Sequence, residues 1–357
     1  MLYIGIIIFS LLFAYIADKK EEKIFLFVII LILSIFCGMR SINMGVDTKN
    51  YHTFMLEIKK RGIFYGSDIG FSIISYWLMN FFTNPNYPLM IFSFITNYLV
   101  VYRLWDFREK SSFSLMILIY LIIYYPYTFN LVRQFLAISL IFWGTKYLEK
   151  LKHKKYIIFN IIASSLHTSS FICLGMLFIK FIKDQKLKNN FTQKMKIFFV
   201  IIFLAFIIFI LFNKNIIKYL QYFKNITINI HEITLLKISF LLLILFFNKI
   251  YKNKSFSKTK YGEIVSMDKY VFELYGIGLS LISIGMLFPF MNRIGFYFMM
   301  FEMPFWGQVI RARVNKFIYM VFIIFLLSHT FIVAWMTRNN SDALFIYSTF
   351  LSDQNTI

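Results

Sequence analysis

The sequence predicts an all-α, polytopic integral membrane protein of about 10–12 transmembrane helices, organised as one transmembrane domain over 1–357. Three observations predict it. The 357 residues are 59% hydrophobic and 21% aromatic with only 15% charged, whereas soluble chains run near 45–50% apolar and about 25% charged. Apolar stretches recur along the whole chain, separated by short loops that carry Lys and Arg. Every such loop is shorter than the roughly 50 residues a soluble domain needs.

Taken in order, the apolar segments are 2–17, 24–38, 89–105, 112–127, 135–149, 197–212, 238–248, 270–290, 295–310 and 317–336. The first lacks a basic leader and a small-residue cleavage site, and Asp18-Lys19-Lys20 follows it directly. It therefore reads as a retained first span rather than a signal peptide. Segment 66–82 is amphipathic and reads as a helix lying along the outer interface. Segment 156–179 carries Ser164-Ser165-Leu166-His167-Thr168-Ser169-Ser170 at its middle. It reads as a re-entrant hairpin, whose broken backbone would need surrounding protein; a single tilted helix is the alternative.

Orientation follows from the basic residues. With loops 18–23, 103–110, 146–155, 180–196, 249–269 and 311–316 on the cytoplasmic side, 26 of the 38 Lys and Arg lie there and 12 outside. Both termini are then outside, provided 66–82 and 156–179 each cross not at all or twice.

This orientation gathers the unusual polar residues at the outer side. Arg40, Asp47 and Tyr51 belong to the first outer loop. Asp47 suits a base for a hydroxyl, or a capping residue before a helix starting near Lys49. Arg133 and Gln134 open the span 135–149 behind Tyr124-Tyr125-Pro126-Tyr127. Arg133 suits bidentate phosphate recognition, or an interfacial Arg within an aromatic belt. Arg293, with Tyr297 one turn later, carries the same two readings. His167 lies between these and the cytoplasmic face, placed to bond a substrate, move a proton or lock a helix break. It has no second ligand nearby, so no metal site is expected. Glu273 and Glu302 are further intramembrane charges.

The chain has no GxxxxGK[ST] and no strand–GxGxxG–helix pattern, so no cofactor and no soluble nucleotide donor are expected. The charge of +21 is scattered over loops rather than gathered on a face, which argues against a nucleic-acid partner. Cys37 and Cys173 sit inside apolar runs and read as small buried hydrophobes. Three outer arginines beside an acidic loop suit a pyrophosphate-linked lipid reached from the bilayer.

The order of motifs carries a resemblance. Arg40 with Gly45-Val46-Asp47-Thr48-Lys49-Asn50-Tyr51, then Arg133-Gln134-Phe135-Leu136-Ala137, then Ser165-Leu166-His167-Thr168-Ser169, then Asn292-Arg293-Ile294 with Pro304 together resemble the EpsG-type family. These are Wzy-like polysaccharide polymerases of bacterial exopolysaccharide, capsule and O-antigen (lipopolysaccharide) pathways. The family often has an acid and a Pro before the glycine of the next segment. Here Ser67-Asp68-Ile69-Gly70 keeps the acid without the Pro.

The resemblance implies a metal-free glycosyltransferase of the bacterial inner membrane, with its active site facing the periplasm or exterior. A growing glycan on undecaprenyl pyrophosphate would pass to the non-reducing end of a new lipid-linked unit. Arg133 and Arg293 would hold the pyrophosphates, and Arg40 a phosphate or Asp47. Asp47 or His167 would be the base. Tyr51 and Gln134 would contribute to substrate binding, and a flippase and a chain-length regulator would be partners. Two other classes compete: a flippase for the same lipid-linked unit, which should line a central cavity with cations and often shows repeated halves, and a membrane acyltransferase modifying the glycan.

Overall fold

The computed structural model describes residues 2–177, 269–285 and 290–311, with Met320, Ile324 and Ser328 as isolated helical positions. Among the described residues every regular element is helical. The apolar segments 197–212 and 238–248 lie outside them, as does nearly all of 317–336.

The polarity is arranged inside out, as a bilayer solvent requires. Helix α1 (Leu2–Lys20) turns Ile4, Ile8, Leu12 and Tyr15 outward and buries Ser10, Ala14 and Ala17. Small residues on the inner face let α2 (Ile24–Gly38) approach closely. Exposed isoleucines and buried serines are the reverse of a soluble helix. Lys19 and Lys20 end α1, favourably placed against its negative pole.

After α2 the chain forms a turn and then α3 (Thr48–Arg61), an amphipathic helix burying Tyr51, Met55 and Ile58. Next comes α4 (Ile69–Phe81), the core of segment 66–82. Ile69, Ile73, Trp77 and Phe81 form an exposed apolar row along it, while Phe71, Ser72, Ser75 and Met79 face inward. At 13 residues it is too short to cross hydrocarbon about 30 Å thick.

Among the described residues two helices are long and apolar enough to cross a membrane, α1 and α5 (Asn86–Asp106); the other apolar helices described are shorter. One reason is visible in α6 (Phe113–Ile119), which passes into a π turn at Tyr120–Tyr124. Pro126 lacks an N–H, and the Tyr125 amide bonds Tyr120 at 2.8 Å instead of Leu121. The Leu121 carbonyl is thus left without either helical partner, and the Tyr3 hydroxyl of α1 donates to it. The broken span becomes a tie between helices.

A short helix, α7 (Tyr127–Asn130), leads into α8 (Val132–Glu149), and a tight turn with Leu151 at positive φ returns the chain as α9 (His153–Leu166). At the far end of the α5–α8 pair, buried Arg103 binds Glu149, Asp106 at 3.4 Å and Thr145 at 3.3 Å. It also stacks over Phe107, so its charge is compensated.

Segment 156–179 reverses at His167, whose extended backbone (φ −157°, ψ 112°) separates α9 from a 3-10 helix, Thr168–Leu174. The returning strand of chain lies back along α9. Ser170 Oγ bonds Ser164 Oγ at 3.2 Å, Asn160 bonds the Ser170 carbonyl at 3.1 Å, and Tyr156 donates to the Cys173 carbonyl at 2.6 Å. Asn160 and Tyr156 thus satisfy backbone carbonyls of the reversal from within the protein.

The remaining described helices are α10 (Lys269–Ile284), α11 (Phe290–Met299) and α12 (Glu302–Arg311). Arg311 donates to the Arg108 and Ser111 carbonyls, and Ser111 Oγ bonds the Pro304 carbonyl at 3.1 Å. Buried Glu302 accepts from Tyr124, so α12 is held against the π turn.

Candidate functional site

The cluster is built on Asp68, the residue before α4. An aspartate at this position ordinarily caps its own helix with its side chain. Here the backbone carbonyl takes the Ser72 amide at 3.0 Å, and the carboxylate makes no cap bond. It is turned instead toward two other elements.

Oδ2 accepts from Arg133 Nη1 at 3.0 Å and lies 3.4 Å from His167 Nδ1. Oδ1 accepts from the Thr168 amide at 3.2 Å and the Thr168 hydroxyl at 3.0 Å. The Thr168 amide opens the 3-10 helix and would otherwise lack a partner. Asp68 is 6% exposed. Burial on its own would raise its pKa, but the hydrogen bond and charge of His167, the charge of Arg133 and the Thr168 amide outweigh it. The carboxyl is held below its ordinary range.

Gly70 makes this approach possible. A Cβ there would stand 2.3 Å from Ser165 Oγ and 3.0 Å from the Ser165 carbonyl carbon, so only glycine lets the start of α4 meet the end of α9.

Arg133, in the first turn of α8, reaches Ser67 Oγ at 3.4 Å as well as Asp68 and lies over the Phe71 ring at 5.9 Å. Its side chain is 34% exposed. Its backbone amide, one of the free donors of a helix start, lies 3.5 Å from the Tyr51 hydroxyl. That hydroxyl is pushed to higher pKa first by burial, with Arg133 pulling against it and Asp47 adding to it. Both charges therefore stand close to Tyr51.

Helix α11 joins through Gln134, which donates to the Arg293 carbonyl at 2.6 Å, and through Ser169 Oγ, 3.0 Å from the Tyr297 hydroxyl. The Arg293 side chain is exposed. So Tyr51, Arg133, Gln134, His167 and the backbone of Arg293 come together from four parts of the chain. His167, expected between these residues and the cytoplasmic face, meets the same Asp68 carboxylate as Arg133 because the chain reverses there, and 20% of its side chain is exposed.

Asp47 stands at the edge of the cluster. It holds the capping position before α3 without a side-chain cap bond, and its carboxylate accepts from Asn50 at 3.1 Å. Gly45 at φ +86° turns the loop under Asn130, whose side-chain oxygen lies 3.5 Å from the Asp47 amide. Arg40 is fully buried. Its Nη1 lies 3.0 Å from Cys37 Sγ, its guanidinium faces Phe129 at 5.0 Å, and Asn86 holds its carbonyl at 2.7 Å. Among the described residues no ion pair joins Arg40 to Asp47.

Asp68 and Thr168 were not among the expected site residues. The one signal for Asp68 was the acid retained before Gly70; Thr168 was hidden in a run of hydroxyls. The arrangement can grip an oxyanion through the outer edge of Arg133 while a carboxylate-held imidazole stands beside it.

The same order of segments governs the comparison with known proteins. The EpsG family profile matches residues 23–349, which takes in every element of the cluster. No curated protein and no solved structure matches the chain. The chain belongs to the EpsG family, a family of polysaccharide polymerase-like membrane proteins.

Proposed function

We propose that this membrane protein polymerises lipid-linked oligosaccharide repeat units into a surface polysaccharide. It would work on the outer face of the bacterial inner membrane, crossing it several times, and both substrates would carry undecaprenyl pyrophosphate. The observation that carries this reading is the junction at Asp68, where a partly exposed guanidinium and a partly exposed imidazole share one carboxylate. Family membership supports the polymerase class.

The chemistry runs as a glycosyl transfer. His167 Nδ1 is turned to Asp68, which leaves Nε2 to accept a proton from the acceptor sugar hydroxyl. That oxygen attacks the anomeric carbon of the growing chain. The bond from this carbon to the pyrophosphate oxygen breaks, and the electron pair leaves with undecaprenyl pyrophosphate. Arg133 and Arg293 meet the charge that develops, as cations placed in advance do at a leaving group. Gln134 and Tyr51 hold Arg293 and Arg133 in register through their backbones. Asp47 is the alternative base, at the edge of the same cluster. Arg40 supports the loop from beneath rather than meeting substrate, because it has no exposed surface. A flippase would supply the units and a chain-length regulator would set when transfer ends.

The test is the surface-polysaccharide profile of a strain lacking the gene, run beside the complemented strain. A ladder collapsing to a single repeat unit on its acceptor means units are made and exported but not joined, as proposed. Loss of the single-unit band as well would move the flippase reading ahead. An unchanged ladder altered only in mass or staining would favour acyl modification.

A further inference from the structure

Asp68 serves two masters through one atom. Oδ2 receives Arg133 at 3.0 Å and faces His167 Nδ1 at 3.4 Å, while Oδ1 is fixed by the Thr168 amide and hydroxyl. The carboxylate cannot swing away, because Thr168 anchors its other oxygen. The shorter contact belongs to Arg133 and the longer, looser one to His167.

We infer that Asp68 is a positioning residue whose hold on His167 is gated by anion capture at Arg133. A phosphate-bearing substrate offers the guanidinium a multiply charged partner in place of a carboxylate it already shares. As Arg133 turns to that oxyanion, Oδ2 is released to the imidazole. The Nδ1–H···Oδ2 bond shortens and fixes the tautomer with Nε2 free. Arg133 has room to move in this way: its side chain is one-third exposed, and beyond Asp68 it meets Ser67 at 3.4 Å, the Phe71 ring face and the Tyr51 hydroxyl, none of them a charged partner. The base would then be set only when a diphosphate is in place. Among the described residues, the other titratable groups around His167 are Tyr297 on α11, reached through Ser169 of the 3-10 helix, and Tyr51 on α3, which lies against Arg133. The inference rests on the transferase reading for its purpose, but its test does not use polymer formation.

The experiment is nitrogen NMR of the full-length protein in nanodiscs with ¹⁵N-labelled histidine, titrated with inorganic diphosphate. There are five histidines in the sequence, and His167→Gln identifies the signal of interest. The expected result is that diphosphate shifts the His167 Nδ1 signal toward a stronger hydrogen bond with Nε2 unprotonated. Arg133→Gln should already show that shift and no longer respond, and Asp68→Asn should lose it. An unmoved His167 signal in the wild type at any diphosphate concentration overturns the inference. So does an equal shift in Asp68→Asn, which would mean that the field of the anion alone acts on the ring. If Asp68→Asn does not fold, the Arg133→Gln comparison decides by itself. Failure of the ladder test would leave this result standing, and a working polymerase with an unresponsive ring would reject only the gate.

Discussion

Asp68 and Arg133 are 65 positions apart in sequence, yet Oδ2 and Nη1 lie 3.0 Å from each other. The contact ties the start of α4 to the start of α8, and through Thr168 to the chain reversal at the end of α9. Because it is largely buried on the Asp68 side, removing one partner strands the other, and the cost falls on geometry as well as charge.

Arg133→Ala should lower polymerisation by ~10²–10³-fold, the range seen when one charge-stabilising donor is removed from an active site. Arg133→Lys should restore only a fraction. A lysine can satisfy Asp68 or a phosphate as a point charge, but it cannot present a fork to both. Ladder length at matched protein level measures this. Equal polymer from Ala and wild type would take Arg133 out of the site.

His167→Gln and Asp47→Asn separate the two candidate bases. The imidazole is held within the cluster, whereas the Asp47 carboxylate is engaged by Asn50 at its edge. His167→Gln should therefore reduce transfer by roughly 10²–10⁴-fold, the worth of a general base. Asp47→Asn should cost far less, because its carboxylate is engaged by Asn50 outside the Asp68 junction. The reverse ranking, read from repeat units joined per unit time, would move the base to Asp47.

Much of this was readable in the sequence, and the limits have physical causes. The helical class and the inside-out polarity follow from composition, since a bilayer admits few other solutions for such a chain. Arg133 and Arg293 stood out, with Gln134 beside the first, because cations gathered at the ends of apolar runs on one side are conspicuous against so apolar a chain. The chain reversal was signalled by the hydroxyls flanking His167, although the partner the imidazole would meet was not: that depends on which element packs against the turn. Asp68 escaped because an acid before a short helix looks like a cap, and only tertiary structure reveals that its carboxylate is spent elsewhere. Arg40 and Arg133 looked alike as loop-edge cations, and packing separates them into one fully buried and one accessible residue.

The fit of α4 against α9 should fail at Gly70. A methyl group there meets Ser165 Oγ at 2.3 Å, which a rotation of that side chain can relieve, but it also meets the Ser165 backbone at 3.0 Å, which cannot move without shifting the end of α9. Overpacking of this kind costs about 1–3 kcal/mol. Gly70→Ala should lower the melting temperature in detergent and, by drawing Asp68 back from His167, reduce polymer more than stability alone explains. Gly62→Ala is not a matched control, since that residue has φ +84°. Gly5→Ala, with open space around it, is.

Acid should loosen the cluster in a defined direction. The Asp68 carboxyl is buried, which raises its pKa, but His167, Arg133 and the Thr168 amide together leave it lower in the folded protein than the ordinary value. A carboxyl with a depressed folded pKa contributes stability that is complete above its unfolded pKa, about 3.9, and is lost as pH falls through the lower folded value. Melting followed by helical circular dichroism should therefore show a stability decrement opening below about pH 4 in the wild type. In Asp68→Asn this part of the slope should disappear, because the amide does not titrate, while the melting temperature near neutrality should already be lower. If the two proteins lose stability in parallel over that range, the carboxylate at position 68 is not the group whose protonation opens the junction.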